Sequence, residues 1–328
     1  MAEYEAGKPA DEEEPACCDC CISCENKMIS LLDDLGIKSK KHVLHATDPA
    51  YNKTMDPCDL TCRNDTDGNF PYFTLIMSAI HIGFYIYFVA TDPTHNIAGF
   101  NKNILCSPFI YSPYHREEVW RFFTYSFTHS GICHITFNLL FQIGIGSLLE
   151  MVHGSWDVIR IYGAGALAGG LTAGIISPGK LLVGASGGDY ALIFGYLGNM
   201  ILNWDSMKNP FTKYMRLIFL LLFIGSDLFN AIFGSLASSG VSCGAHLGGA
   251  IVGLGVSMAC LKNFNSDNDW EKNASYVLMA LSGGFVLFAL GWQIFSPTFD
   301  KYDEVNPPCY LFSKCEQYAT NCSSFSNL

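Results

Sequence analysis

The sequence predicts an all-α polytopic membrane protein of seven spans. Half of the 328 residues are hydrophobic (50%) and only 15% are charged. Mean hydropathy is positive, and charge this sparse is unusual for a soluble chain. Seven segments are long and apolar enough to cross a bilayer, roughly 71–91, 132–152, 157–177, 183–203, 214–234, 242–262 and 275–295. A crossing helix needs about 20 residues.

Before the first span the chain is polar, cysteine-rich and acidic. Glu3, Glu5, Asp11, Glu12, Glu13 and Glu14 cluster near its start, and the formal net charge is -11. No basic footprint supports a nucleic-acid role. No apolar run precedes residue 70, so no cleaved signal peptide is expected, and the acidic start argues against a mitochondrial transit peptide. Residues 1–70 are expected to be cytoplasmic and largely disordered. The run "CCDCCISC" (17–24) is open to S-acylation, to metal binding or to no defined role. "NDTDGN" (64–69) has the composition of a calcium loop, but Arg63 stands at loop position 1 and Thr74 at position 12.

The first, fifth and seventh spans are the most uniformly apolar. The second, third, fourth and sixth are more polar and richer in glycine, as helices that face other helices usually are. Four inner and three outer helices are therefore expected within one membrane domain, 71–296, followed by a tail, 297–328. Lys208, Lys213, Arg216, Lys262 and Lys272 fall in loops on the side of the N-terminus, which makes that side cytoplasmic. Cys106, Cys309, Cys315 and Cys322 then lie on the outer face, where three disulfide pairings are open. Asn321 is a glycosylation acceptor there, while the sequons at Asn52, Asn64 and Asn273 would be silent inside.

Polar side chains within spans are costly and mark function. Here they are His81, His134, Asn138, Gln142, Glu150, Arg160, Ser186, Asp189, Asp227 and His246. Ser186 and His246 are each expected about a turn below the outer ends of the fourth and sixth spans. His134 and Asn138, four apart on one face of the second span, occupy the same layer, within roughly 10 Å of the outer surface. A serine reaches a histidine only if the helix axes come closer than the usual 8–10 Å or so. Gly184 and Gly188 in the fourth span, and Gly249 and Gly253 in the sixth, have the four-residue spacing of a close contact. Serine beside a histidine base, with donors for an oxyanion, is the equipment of nucleophilic catalysis. "GASGG" also fits the nucleophile elbow of a soluble α/β-hydrolase, but seven apolar spans leave no room for its sheet.

Taken together, these motifs resemble the rhomboid intramembrane serine proteases over about 115–262. "WRFFTYSFTHSGICHITFN" (120–138) resembles the family's W-R start and H-x-x-x-N element. "EMVHGS" (150–155), "GASGGDYAL" (184–192) and "GAHLGGAIVG" (244–253) resemble its E-x-x-x-G, G-x-S-G and A-H-x-x-G-x-x-x-G motifs. The resemblance implies a six-helix bundle plus one C-terminal span, as in eukaryotic secretory-pathway members. It implies Ser186 as nucleophile and His246 as general base. His134, Asn138 and the Ser186 N–H would form the oxyanion hole, with Tyr190 stacked on His246. Gly184 and Gly187 belong to the serine motif. Trp120 and Arg121 would order the first loop, Glu150 and Ser155 would tie the second span to the third, and His129 would stand near the active-site water.

Two residues depart from the pattern. Asp189 occupies a place expected to be small or apolar; it is open to being unpaired in lipid, partnered to a neighbouring helix or tuning substrate choice, and a hydrogen-bonded structural role is the favoured reading. Asp227 lies in the fifth span, which in the family borders substrate entry, so gating is one reading. Ala185, rather than proline, precedes the serine and favours activity. The function expected is cleavage of single-span membrane proteins near the outer face, releasing ectodomains, with no metal or organic cofactor. Golgi, endosomes or plasma membrane are the expected compartments, and the sequence sets no oligomeric state. The alternatives are an inactive rhomboid-like protein that binds membrane clients, and a transporter. A transporter would want an inverted repeat and a polar path at the midplane, and neither is seen.

Overall fold

The computed structural model describes residues 70–93, 95–99, 102–105, 107–204, 210–233, 242–263 and 269–296, with the backbone alone for 102, 212, 226–233 and 269. The cysteine run 17–24, Cys106, Cys309, Cys315, Cys322, three of the sequons (Asn52, Asn64, Asn321) and the Asp227 side chain lie outside the described residues. Those residues form an all-helical bundle: α1 (Tyr72–Thr91), α2 (Lys102–Leu105), α3 (Arg121–Thr124), α4 (Ile132–His153), α5 (Ser155–Ile176), α6 (Ser186–Leu202), α7 (Pro210–Phe233), α8 (Cys243–Cys260) and α9 (Asp269–Phe295). Five of them, α1, α4, α5, α8 and α9, are long and apolar enough to cross a membrane.

The three innermost helices are α5, α6 and α8, and their sequences explain why. They meet backbone to backbone where glycine leaves no side chain. A Cβ at Gly249 would strike the Gly187 carbonyl, one at Gly253 the Ala191 backbone, and one at Gly248 the Ala168 carbonyl. Lipid offers apolar surface as good as a helix does, so such close packing, not the hydrophobic effect, holds membrane helices together. The second span was expected in this inner group. Instead α4 turns Phe137, Leu140, Ile143 and Leu148 outward and buries one side, Ile135, Asn138, Gln142, Gly146, Leu149, Glu150 and His153.

The glycine pairing also differs from expectation in the fourth span. Gly184 faces the His134 ring and Gly188 the Tyr162 ring. It is Gly187 and Ala191 that receive α8. The span also starts later than expected. Residues 181–185 precede the helix, and Leu182 pairs with Tyr111 in an isolated antiparallel bridge. Gly184 has φ +109°, a conformation that disfavours any side chain. Ser186 is thus the first residue of α6, not one turn inside it.

At the opposite end, Glu150 is fully buried and joins three helices. Its Oε1 accepts from the Phe73 N–H (2.7 Å) and the Ser155 hydroxyl (2.6 Å). Its Oε2 accepts from the Thr74 N–H (2.8 Å) and hydroxyl (2.7 Å). A carboxylate thereby caps the orphan donors of α1. Gly154, at φ +95°, makes the turn from α4 into α5. Nearby, His153 accepts from the Lys262 N–H at Nδ1 (3.1 Å), so the proton is assigned to Nε2, which donates to Asn199 (3.0 Å).

The last helix is bonded to the body. Ser275 and Ser282, seven residues apart, donate to the carbonyls of Met258 (2.7 Å) and Ile251 (3.1 Å) on α8. Ala289 continues the stripe and is fully buried. Gln293 donates to the Leu171 carbonyl on α5 (2.8 Å), and Arg116 of the first loop donates to the Gln293 carbonyl.

Candidate active site

The site is assembled at the starts of three parallel helices, α4, α6 and α8. Ser186 opens α6, so its N–H has no intrahelical acceptor and points out of the positive end of the helix. Tyr190, one turn on, shares the serine's face. The His246 ring lies flat on the Tyr190 ring, with centroids 3.9 Å apart and planes 11° apart. This sets the imidazole beside the turn that carries Ser186. His246 is held in the first turn of α8, whose cap is Ser242, the acceptor of the Ala245 N–H (3.3 Å). The stack needs the close passage of α8 over Gly187.

The His134 ring lies against Gly184, two residues before the serine. Its Nδ1 accepts from the Ser130 N–H (3.4 Å) and contacts the Ser130 hydroxyl (3.0 Å). A backbone N–H can only donate, so the proton is assigned to Nε2, the atom that faces Gly184. Asn138, one turn below and buried, donates one amide hydrogen to the His134 carbonyl (2.8 Å), and its second amide hydrogen is not used in that bond. Sequence reasoning missed Ser130. Its spacing of four before His134 was the available signal.

His129 is almost wholly buried beneath the site. Its Nε2 accepts from the Ala185 N–H (3.3 Å), one residue before the serine. Burial, followed by the neighbouring His134 and His81, holds its pKa well below the ordinary imidazole value. Its ring meets those of His134 and His81, each at 5.4 Å. Tyr125 donates to the Ala166 carbonyl (2.9 Å) and its own carbonyl accepts from the Gly184 N–H (3.1 Å). Burial pushes the Tyr125 phenol well above its usual range.

Trp120 and Arg121 act on the first loop, away from the reacting atoms. Arg121 pairs with Glu118 (2.6 Å) and donates to the carbonyls of Ser107 (3.0 Å) and Ile110 (2.9 Å). Trp120 donates to the Pro108 carbonyl (3.2 Å). Among the described residues, the structure shows no hydrogen bond for the Asp189 side chain. Both carboxyl oxygens are buried without a hydrogen-bond partner among the described residues. Among the described residues, no three His, Cys, Asp or Glu side chains gather as a metal site.

A polytopic helical membrane protein with a polar, glycine-packed site at the starts of three helices is one defined class. A family model described as the Rhomboid domain matches residues 116–263. Rhomboid-related protein 2 of Mus musculus is 37% identical over 69% of this chain and 75% of that protein. Inactive rhomboid-related protein 2 of Caenorhabditis elegans is 30% identical over 67% and 62%, respectively. Rhomboid-type serine protease 2 of Emericella nidulans is 27% identical over 51% and 32%. This chain belongs to the rhomboid family. The family includes serine proteases and members named inactive.

Proposed function

We propose that this chain is an intramembrane serine endopeptidase. Ser186 is the nucleophile and His246 its general base. A serine hydroxyl is a weak nucleophile and needs such a base. His246 takes the hydroxyl proton as the oxygen attacks a scissile carbonyl. The oxyanion forms against the Ser186 N–H, His134 Nε2–H and the free Asn138 amide hydrogen, donors worth about 3–4 kcal/mol each. His246 then returns the proton to the leaving amine, and water repeats the cycle on the acyl-enzyme. The Tyr190 ring takes the positioning part that a carboxylate plays in a triad.

One observation carries this reading: the His246 ring is stacked on Tyr190, one turn from the serine that opens α6. The substrates are single-span membrane proteins, cut near the outer face with release of their ectodomains. Residues 71–296 are the membrane domain, 1–70 a cytoplasmic region and 297–328 an outer tail. Golgi, endosomes or plasma membrane are the compartments of action.

Ser186→Ala should abolish cleavage of a co-expressed single-span reporter at unchanged protein abundance, and undiminished release would refute the proposal. A second reading, an inactive client-binding member, is motivated by the relative named inactive. A serine-directed phosphonate separates the two. It should label the native protein, and not Ser186→Ala, if the enzyme reading holds.

A further inference from the structure

Asp189 is the polar residue of α6 that the proposed mechanism does not use. It is 3% exposed, and neither carboxyl oxygen has a hydrogen-bond partner among the described residues. Gln142 of α4 is 1% exposed and half satisfied. Its Nε2 donates to the Ser78 hydroxyl (2.7 Å), while its Oε1 has no partner. Buried acceptors without donors are costly, and an unpaired buried charge is costlier still.

The register brings these two orphans to the same level. Helices α4 and α6 run in the same direction. At their starts Gly184 packs on the His134 ring, and further down a Cβ at Gly146 would meet Leu192 Cδ1 at 3.2 Å. Gln142 lies one turn before Gly146, on its face. Asp189 lies one turn before Leu192, on its face. The two observed contacts therefore bracket Gln142 and Asp189. The π turn Gln142–Gly146 begins at this level, a local feature that often marks function. The other titratable groups packed around it are Tyr162 of α5, Tyr125, His81 of α1, and His129 and His134 beyond them. Tyr162 lies against Gly188 and contacts His81 Nε2 (3.4 Å). No cation is among them.

We infer that Asp189 is a neutral carboxylic acid whose proton is shared with the Gln142 amide oxygen, directly or through one bridging water. Two acceptors become donor and acceptor when one of them carries a proton. The bond joins the helix that starts with Ser186 to the helix that carries His134 and Asn138. Asp189 is then a positioning residue. Its bearing on catalysis rests on the function proposed above, but the bond itself does not.

Infrared spectroscopy of the full chain at neutral pH tests the proton. The C=O stretch of a buried carboxylic acid should be present and should vanish in Asp189→Asn. Absence of any band lost on that substitution overturns the inference. Thermal unfolding tests the partner. Asp189→Val and Gln142→Leu should each lower Tm by about 3 °C. The double variant should be no worse than either alone, and Asp189→Asn, whose amide still donates, should keep the native Tm. Additive losses in the double variant, or a loss in Asp189→Asn equal to that in Asp189→Val, overturn it. Phosphonate labelling of Ser186 should fall in Asp189→Val and recover in Asp189→Asn. Labelling lost equally in both variants overturns the positioning role, whereas no labelling in the native protein is a failure of the proposed activity and leaves the infrared and Tm results standing.

Discussion

The rings of Tyr190 and His246 lie parallel, 3.9 Å between centroids. The stack ties the histidine of one helix to the face of the helix that carries Ser186. Tyr190→Phe keeps the ring and should preserve cleavage. Tyr190→Ala removes the platform and should lower kcat about tenfold with little change in abundance. Steady-state cleavage of a reporter in detergent measures both. Equal rates for the two variants would show that the ring does not position the base.

Gly249 sets the distance between the same helices. Even a methyl group there would strike the Gly187 carbonyl. Gly249→Ala should therefore destabilise by about 1–3 kcal/mol and abolish phosphonate labelling, because His246 moves with α8. Gly291→Ala, on α9 with nothing near its added Cβ, should be neutral in both assays. Thermal unfolding and labelling, run on the pair, check this.

At the other membrane face, Glu150→Ala should cost about 3–5 kcal/mol, seen as a large fall in Tm. Four donors, from Phe73, Thr74 (two) and Ser155, lose their acceptor at once. Ser155→Ala removes one donor and should cost about 1 kcal/mol. A Glu150→Ala protein as stable as Ser155→Ala would contradict the three-helix tie.

His129 gives a pH dependence whose sign follows from its environment. Burial depresses its folded pKa below the ordinary value of 6.5, so the unfolded chain binds this proton more readily. The stability it contributes is fully present above about pH 6.5 and is lost as pH falls toward the folded pKa. Protonation also removes the acceptor for the Ala185 N–H, next to Ser186. Tm should be flat above about pH 6.5 and fall below it, with a shallower fall in His129→Gln. An identical acid limb in the two proteins would remove His129 from the account.

Much of this architecture is legible in the sequence because bilayer thickness imposes a length and lipid imposes apolarity. Spans such as Tyr72–Thr91 and Ser155–Ile176 are found that way. The glycine-flanked serine and histidine are legible because close helix packing leaves a spacing, as at Gly249 and Gly253. The start of α6 is not legible. "LLVGA" is as apolar as a helix, but Leu182 pairs with Tyr111 and Gly184 takes a positive φ, so the helix begins only at Ser186. The partners of Gly184 and Gly188 are hidden for the same reason, since a spacing says that something approaches but not what. The π turn in α4, which sets the level of Gln142, has no sequence signature of its own.

The shortness of α6 has a consequence for the bilayer. Its 17 residues rise about 26 Å, less than the hydrocarbon thickness of about 30 Å. Shielded by α5 and α8, the helix cannot draw lipid down to match it, as an exposed short span would. At the Ser186 end the chain leaves the helix through Ala185 and Gly184 for the bridge between Leu182 and Tyr111. On the function proposed above, the serine would then be countersunk, at the floor of a recess in one leaflet.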